Sequence, residues 1–156
     1  MTAPGVSATR PSHYDPGGRH QAPNAMYPSL TTFKPCDLPT LLNSLQPIAP
    51  LLDTLSDVVF FIKDREARYA FVNQTLARRC GFKHSEDLLG RTADMVFPEH
   101  FGPLYTEQDR RVLSSGRVLA DQLELHLYFG NQPIWCLTHK LALYDEQGHI
   151  VGLAGI

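Results

Sequence analysis

The pattern of hydrophobic and polar positions divides the chain into two groups of strands with helices between them. Residues 58–62 and 69–72 are rich in β-branched and aromatic side chains, which predicts two buried strands joined by a polar turn at 63–66. Residues 118–129 and 134–144 alternate between apolar and polar side chains, which predicts a hairpin. Residues 150–156 begin a fifth strand.

Helices are predicted between these two groups of strands. Residues 74–98 form short helices interrupted by Gly81 and Gly90, and a longer helix runs over 103–115 and stops at Gly116. Its inner face is predicted to hold Phe101, Tyr105, Gln108 and Val112, and its solvated face Glu107, Asp109, Arg110 and Arg111. The order of elements predicts an α+β fold: one five-stranded antiparallel sheet with helices on one face.

The N-terminal third has a different character. Residues 1–39 hold seven of the twelve prolines and show no apolar period, which predicts a flexible or irregular arm. Residues 40–56 are predicted to form a flanking helix that is continuous from about Pro47 to Ser56, because proline interrupts a helix interior. One helical stripe would hold Leu41, Leu45, Ile48, Leu52 and Leu55 and is a candidate dimerisation element.

Composition narrows the class of protein. The chain has 156 residues, 43% hydrophobic and 19% charged, which is ordinary for one globular domain with a tail. A net charge of -2 gives no overall basic surface for nucleic acid. Without a bilayer-length apolar run or a signal-peptide core, we expect a cytoplasmic protein with no membrane partner. Cys36, Cys80 and Cys136 are then expected to be free thiols.

The order and spacing of several segments resemble a PAS domain. The segments lie at 57–64, 69–73, 80–82, 86–92, 109–116, 135–140 and 145–156. The resemblance implies a PAS sensor domain over 57–156. It is greatest to the N-terminal PAS domains of AraC-type helix-turn-helix transcriptional regulators. This likeness implies a homodimer and a C-terminal DNA-binding effector beyond Ile156. The protein would contact DNA only through that effector.

The hairpin at 118–144 offers two faces for a binding site. If its turn centres on Gln132, Glu124 lies opposite Lys140 and His126 opposite Thr138. Hydrophobic pattern alone would turn the leucines inward. The resemblance to cofactor-binding PAS domains instead places Cys136, Thr138 and Lys140 toward the pocket, with the leucine face against the stripe from Leu41 to Leu55.

The predicted ligand site follows from the second arrangement. Polar groups on an apolar wall are typical of a pocket for a small organic ligand. Its candidate residues are Phe61, Phe71, Phe97, Tyr105, Glu124, His126, Cys136, Thr138 and Lys140. The alternative interpretation is a structural Glu–Lys pair across the strands, worth under about 1 kcal/mol.

Other chemistry has weaker support in the sequence. The helix at 103–115 lacks the axial histidine of haem-binding relatives, although His100 lies just before it, and no metal-ligand spacing occurs. Cys80 is not in the segment by which blue-light sensors bind flavin, so neither haem nor flavin is expected. No catalytic motif is present, and we expect no enzyme. Two hypotheses stay open beside the ligand sensor: a ligand-free dimerisation module, and a haem or flavin redox sensor.

Overall fold

The structure is a computed structural model that describes residues 34–156. The predicted N-terminal arm therefore lies outside the described residues, apart from its last six positions. Five α-helices are present in this range: α1 (Leu38–Leu45), α2 (Ala49–Asp53), α3 (Gln74–Arg79), α4 (Ala93–Val96) and α5 (Gly102–Ser115). The strands are β1 (Phe61–Lys63), β2 (Tyr69–Val72), β3 (Leu119–Tyr128), β4 (Gln132–Tyr144) and β5 (Ile150–Gly155).

The strands form one antiparallel sheet in the order β2-β1-β5-β4-β3. Because β5 lies between β1 and β4, the last strand joins the N-terminal pair to the C-terminal hairpin. Helices α3 to α5 and a 3-10 turn at Ser85–Leu88 lie between β2 and β3 in the chain. The predicted α+β fold with a five-stranded antiparallel sheet is confirmed. Among residues 34–156 no helix has both the length and the apolar character needed to cross a bilayer.

The flanking segment differs from the predicted continuous helix. It already begins at Leu38, where the Asp37 side chain accepts a hydrogen bond from the Thr40 amide at 2.8 Å and caps α1. A 3-10 turn at Gln46–Ile48 then separates α1 from α2. Pro47 and Pro50 each open a new helical segment, since proline suits a first turn and breaks an interior.

The fully buried Asn73 ties this flanking segment to the sheet. Its side-chain amide donates to the carbonyl oxygens of Leu52 at 3.1 Å and Val58 at 2.9 Å. Its oxygen accepts from the amides of Phe60 and Leu76, so the same side chain also caps α3. One residue therefore satisfies backbone groups in three successive parts of the chain.

The hairpin of β3 and β4 has a different register from the predicted one. Glu124 pairs with Cys136, and Thr138 pairs with Gln122, because the turn centres on Gly130 rather than on Gln132. Gly130 has φ 78°, a left-handed conformation that glycine adopts without steric cost. The shift is an even number of positions, so each side chain keeps its predicted face.

The two faces of this hairpin have opposite environments. Thr138, Lys140 and Ala142 of β4 are buried toward the helices. The alternate residues Leu123, Trp135, Leu137 and Leu141 are exposed on the outer face. The inner face is therefore the one that the PAS resemblance implied, not the leucine face that hydrophobicity alone favours.

Helix α5 packs one stripe on the sheet and ends at Gly116, as predicted, with φ 66°. Tyr105, Asp109 and Val112 are buried along this stripe. The prediction that Asp109 lies on the solvated face is wrong. Asp109 follows Tyr105 by four residues and precedes Val112 by three, so all three side chains lie on the same side of the helix.

Candidate ligand site between helix α5 and the sheet

A cavity of about 310 Å³ lies between α5 and the inner face of the sheet. Aromatic rings supply much of its wall, notably Phe61 and Tyr69 from the first two strands and Tyr105 from α5. Asp57 and Val58 also line it and are exposed, so the cavity reaches the protein surface beside them. Its size and mixed lining are those of a site for a small molecule.

Seven of the nine predicted binding residues line this cavity: Phe61, Phe97, Tyr105, His126, Cys136, Thr138 and Lys140. The other two lie outside its lining. The Phe71 ring packs edge-on against Phe60, with ring centroids 5.8 Å apart. The Glu124 carboxylate accepts hydrogen bonds from Gln108 of α5 and from its neighbour His126.

Three ionisable side chains meet at the inner end of the cavity. The Lys140 ammonium donates to Asp109 Oδ1 at 2.6 Å, and the Lys63 ammonium donates to Asp109 Oδ2. All three side chains are buried, and Asp109 has no exposed surface. We call Lys63, Asp109 and Lys140 the ionic triad; it joins α5 to β1 and β4.

Two members of the ionic triad were not among the predicted site residues. Lys63 was assigned to a polar turn, but it is the last residue of β1, two positions after Phe61 and on the same face of the strand. Asp109 was assigned to the solvated face of α5. Its spacing from Tyr105 and Val112 was the available signal for its burial, and the surrounding charges at 107, 110 and 111 concealed it.

The Glu124 carboxylate is held by a second polar network. His126 Nε2 lies 3.3 Å from Glu124 Oε2, and the Gln108 side-chain amide donates to Oε1. Burial raises the pKa of Glu124, but hydrogen bonds from His126, Gln108 and Thr138 outweigh it and lower the pKa to about 2. Glu124 is therefore ionised at neutral pH and fixes the wall that carries His126 and Thr138.

Stacked rings form the adjoining wall of the cavity. The His126 ring is parallel to the Tyr105 ring, with centroids 4.4 Å apart and an angle of 8° between the planes. The Tyr105 hydroxyl donates to the Leu125 carbonyl at 3.0 Å. Phe97 meets Tyr105 edge-on at 5.1 Å. These contacts give a rigid aromatic surface against which a flat ligand can pack.

Comparison with known proteins places this architecture in a family. The profile of the family described as "PAS fold" matches residues 52–156, which is more than half of the chain. The chain belongs to the PAS family. The sequence-based assignment of a PAS domain is thus confirmed.

Two sensory regulators are similar to this PAS domain. The methanogenesis regulatory histidine kinase FilI of Methanothrix harundinacea is 29% identical over 106 residues, which cover 68% of this chain and 12% of FilI. The structure of VqmA bound to DPO has a TM-score of 0.60 and 26% identity, covering 71% of this chain and 54% of the other. The chain thus spans about an eighth of FilI and about half of VqmA.

Two further structures extend the likeness. The Vibrio cholerae VqmA–ligand–DNA complex has a TM-score of 0.60 and 26% identity, covering 71% of this chain and 49% of the other. The PAS domain of a Colwellia psychrerythraea protein has a TM-score of 0.56 and 16% identity, covering 72% of this chain and 92% of the other. At that identity the Colwellia domain supports the fold alone.

Burial raises the pKa of the Cys80 thiol to about 12, so the thiol stays protonated and a poor nucleophile at neutral pH. Among residues 34–156 no group of three or more His, Cys, Asp or Glu side chains is placed to hold a metal ion.

The network around Glu124 makes stability depend on pH. The folded pKa of about 2 lies below the value of about 4.3 expected for an unfolded glutamate. Ionised Glu124 therefore stabilises the fold above about pH 4.3, and this contribution is lost as the pH falls toward 2. We expect Glu124→Gln to lower the free energy of unfolding at pH 7, and the difference from the parent to shrink between about pH 5 and 2.

Urea unfolding at pH 7, 5, 4 and 3 measures this difference. The control is Glu99→Gln, since Glu99 is exposed and accepts no hydrogen bond from Gln108 or His126. A Glu124→Gln deficit that stays constant over this pH range would contradict the assignment of a low pKa to Glu124.

Proposed function

We propose that this PAS domain senses a small organic ligand and relays its presence to an effector that regulates transcription. The observation that carries the proposal is the cavity of about 310 Å³, with aromatic walls and a few buried polar groups at one end. That combination favours a compact ligand oriented by specific polar contacts. The function is binding and signal relay rather than catalysis.

The similar proteins support a regulatory role. VqmA has been solved with DPO bound and with DNA, and its structures are described as those of a LuxR-type receptor. FilI is a regulatory histidine kinase. The sequence resembles the sensor domains of AraC-type regulators. We propose a DNA-binding effector of the helix-turn-helix kind, of either the AraC or the LuxR type, in the full-length protein.

A route for the signal runs from the ionic triad along β4 to the end of β5. Lys140 follows His139, whose amide and carbonyl both hydrogen-bond to Ile156, at 3.1 and 3.0 Å. A ligand that contacts Lys140 would bias the position of β4 and, through this pair, of Ile156. It shifts the balance between two arrangements only by its difference in affinity for them.

Native mass spectrometry of the purified chain tests ligand sensing. We expect a mass above that of the polypeptide, released as a small molecule on denaturation. Thr138→Ala and Lys140→Ala should lower its occupancy because both side chains line the cavity. A matched Thr54→Ala change on the exposed end of α2 should leave occupancy unchanged. Full occupancy in both cavity variants would contradict the assigned site, and a released haem or flavin would contradict the proposed ligand class.

A second candidate function, dimerisation, is favoured by the outer face of β3 and β4. Leu123, Trp135, Leu137 and Leu141 expose apolar side chains there, which is unusual for a face that stays in water. The predicted stripe adds exposed apolar groups from the flanking segment, including Ile48 in the 3-10 turn and Leu55 after α2. We propose that the outer face and the stripe form a homodimer interface, consistent with the described VqmA dimer.

The same spectra test the dimer. We expect twice the chain mass for the parent protein and the single mass after Leu137→Glu, because a charge would be buried in the interface. Leu45→Glu with Leu52→Glu tests the stripe in the same way. The control Gln122→Glu changes a polar side chain that is exposed on the same hairpin. A parent protein that stays monomeric, or variants that stay dimeric, would contradict this interface.

A further inference from the structure

The ionic triad holds two positive charges and one negative charge in a buried place. Lys63 is 2% exposed, Lys140 is 5% exposed and Asp109 is fully enclosed. Burying an ion is costly unless an opposite charge compensates it. One carboxylate can neutralise one ammonium, so the triad carries an excess of one positive charge when both lysines are protonated.

Hydrogen bonding leaves the same imbalance. A lysine ammonium has three N–H donors. Among the described residues, the hydrogen-bond acceptor of each ammonium is one oxygen of Asp109. Lys63 is also 4.1 Å from the centroid of the Tyr69 ring, which offers its π-face rather than a lone pair. Donors therefore remain at the inner end of the cavity for an acceptor that residues 34–156 do not supply there.

Among the described residues, the other carboxylates near the triad accept no hydrogen bond from either ammonium and attract them only through space, Asp94 acting on Lys63 and Glu124 on Lys140. The Arg79 guanidinium lines the cavity and donates to the Asp57 carbonyl, so it adds a further positive charge. The Asp57 carboxylate lies on the exposed side of the cavity. Glu124 lies outside the lining and is held by Gln108 and His126.

We propose that the ligand of this cavity is a small aromatic monoanion, whose anionic oxygen is bound by Lys63 and Lys140. The aromatic part of the ligand lies against Phe61 and the stacked rings of Tyr105 and His126. This inference rests on the proposed sensor function and adds the ligand's charge and chemical class. It also assigns Lys63 and Asp109 roles: Lys63 binds the anion, and Asp109 positions both lysines.

The electrostatics of Lys63 agree with this role. Burial lowers the pKa of Lys63, while the adjacent Asp109 carboxylate opposes that effect. A second negative charge would favour the protonated lysine further, so the anion and the ammonium stabilise each other. Lysine suits a ligand with a single acceptor oxygen, because its ammonium acts as a compact charge without the planar fork of arginine.

Pairs of acids and their neutral amides test the proposal on the whole chain. The probes are benzoate with benzamide and 2-naphthoate with 2-naphthamide, which differ in charge but hardly in shape. Isothermal titration calorimetry at pH 7 gives Kd, and thermal unfolding gives an independent midpoint shift. We expect each acid to bind at least about tenfold more tightly than its amide, since one charged hydrogen bond contributes about that factor.

Lysine variants locate the effect. Lys63→Met and Lys140→Met each leave one lysine paired with Asp109, so the remaining charges balance and the fold should persist. Both are expected to abolish the preference for the acid while keeping weak binding of the amide. The control Lys83→Met removes an exposed lysine of similar shape and should keep the preference.

Each outcome has a defined meaning. Amides that bind as tightly as acids would overturn the anion proposal and leave the sensor function standing. Acid preference that survives both cavity variants would also overturn it, because the charge would be recognised elsewhere. If neither member of either pair binds, the assignment of an aromatic monoanion is wrong. The sensor function is then decided separately by the native mass spectra.

Discussion

Asp109 is the constraint on which the rest of this PAS domain depends. Its two carboxylate oxygens accept hydrogen bonds from Lys63 of β1 and Lys140 of β4, strands that are separated in the sheet by β5. A helix that places an ion in the interior must keep both partners, because an uncompensated buried charge is strongly unfavourable. The ionic triad therefore fixes the distance of α5 from the sheet, and this distance sets the depth of the cavity between them.

The proposed function uses the same groups that hold the fold. An anion bound by Lys63 and Lys140 would share these lysines with Asp109 and alter the forces on α5 and on β4. Lys140 is next to His139, and His139 pairs with Ile156 at the end of β5. A binding site built on a structural ion cluster can thus affect the end of the sheet without a separate moving part, provided that the ligand favours one arrangement.

Much of the fold was predictable because it depends on periodicity, and the inner face of the hairpin followed from family resemblance. The register of the hairpin was not predictable from the turn residues, since Gly130 and Gln132 lie in the same polar stretch and only the backbone at Gly130 decides between them. The burial of Asp109 was missed because charge was taken as a sign of exposure, although its spacing from Tyr105 indicated the inner stripe. The Phe71 ring packs on Phe60 instead of lining the cavity. The alternation of apolar and polar residues along a strand could not show this, because the lining depends on how side chains pack in three dimensions.

The most direct test of this account is urea unfolding of Asp109→Asn at pH 7. The substitution keeps the size of the side chain but leaves two buried ammonium groups without their counter-ion, and we expect a loss of about 3–5 kcal/mol in the free energy of unfolding. The matched control is Glu107→Gln on the same helix, which removes an exposed ion pair with Arg111 and should cost under about 1 kcal/mol. If Asp109→Asn costs no more than Glu107→Gln, the ionic triad does not hold α5 on the sheet and the account is wrong.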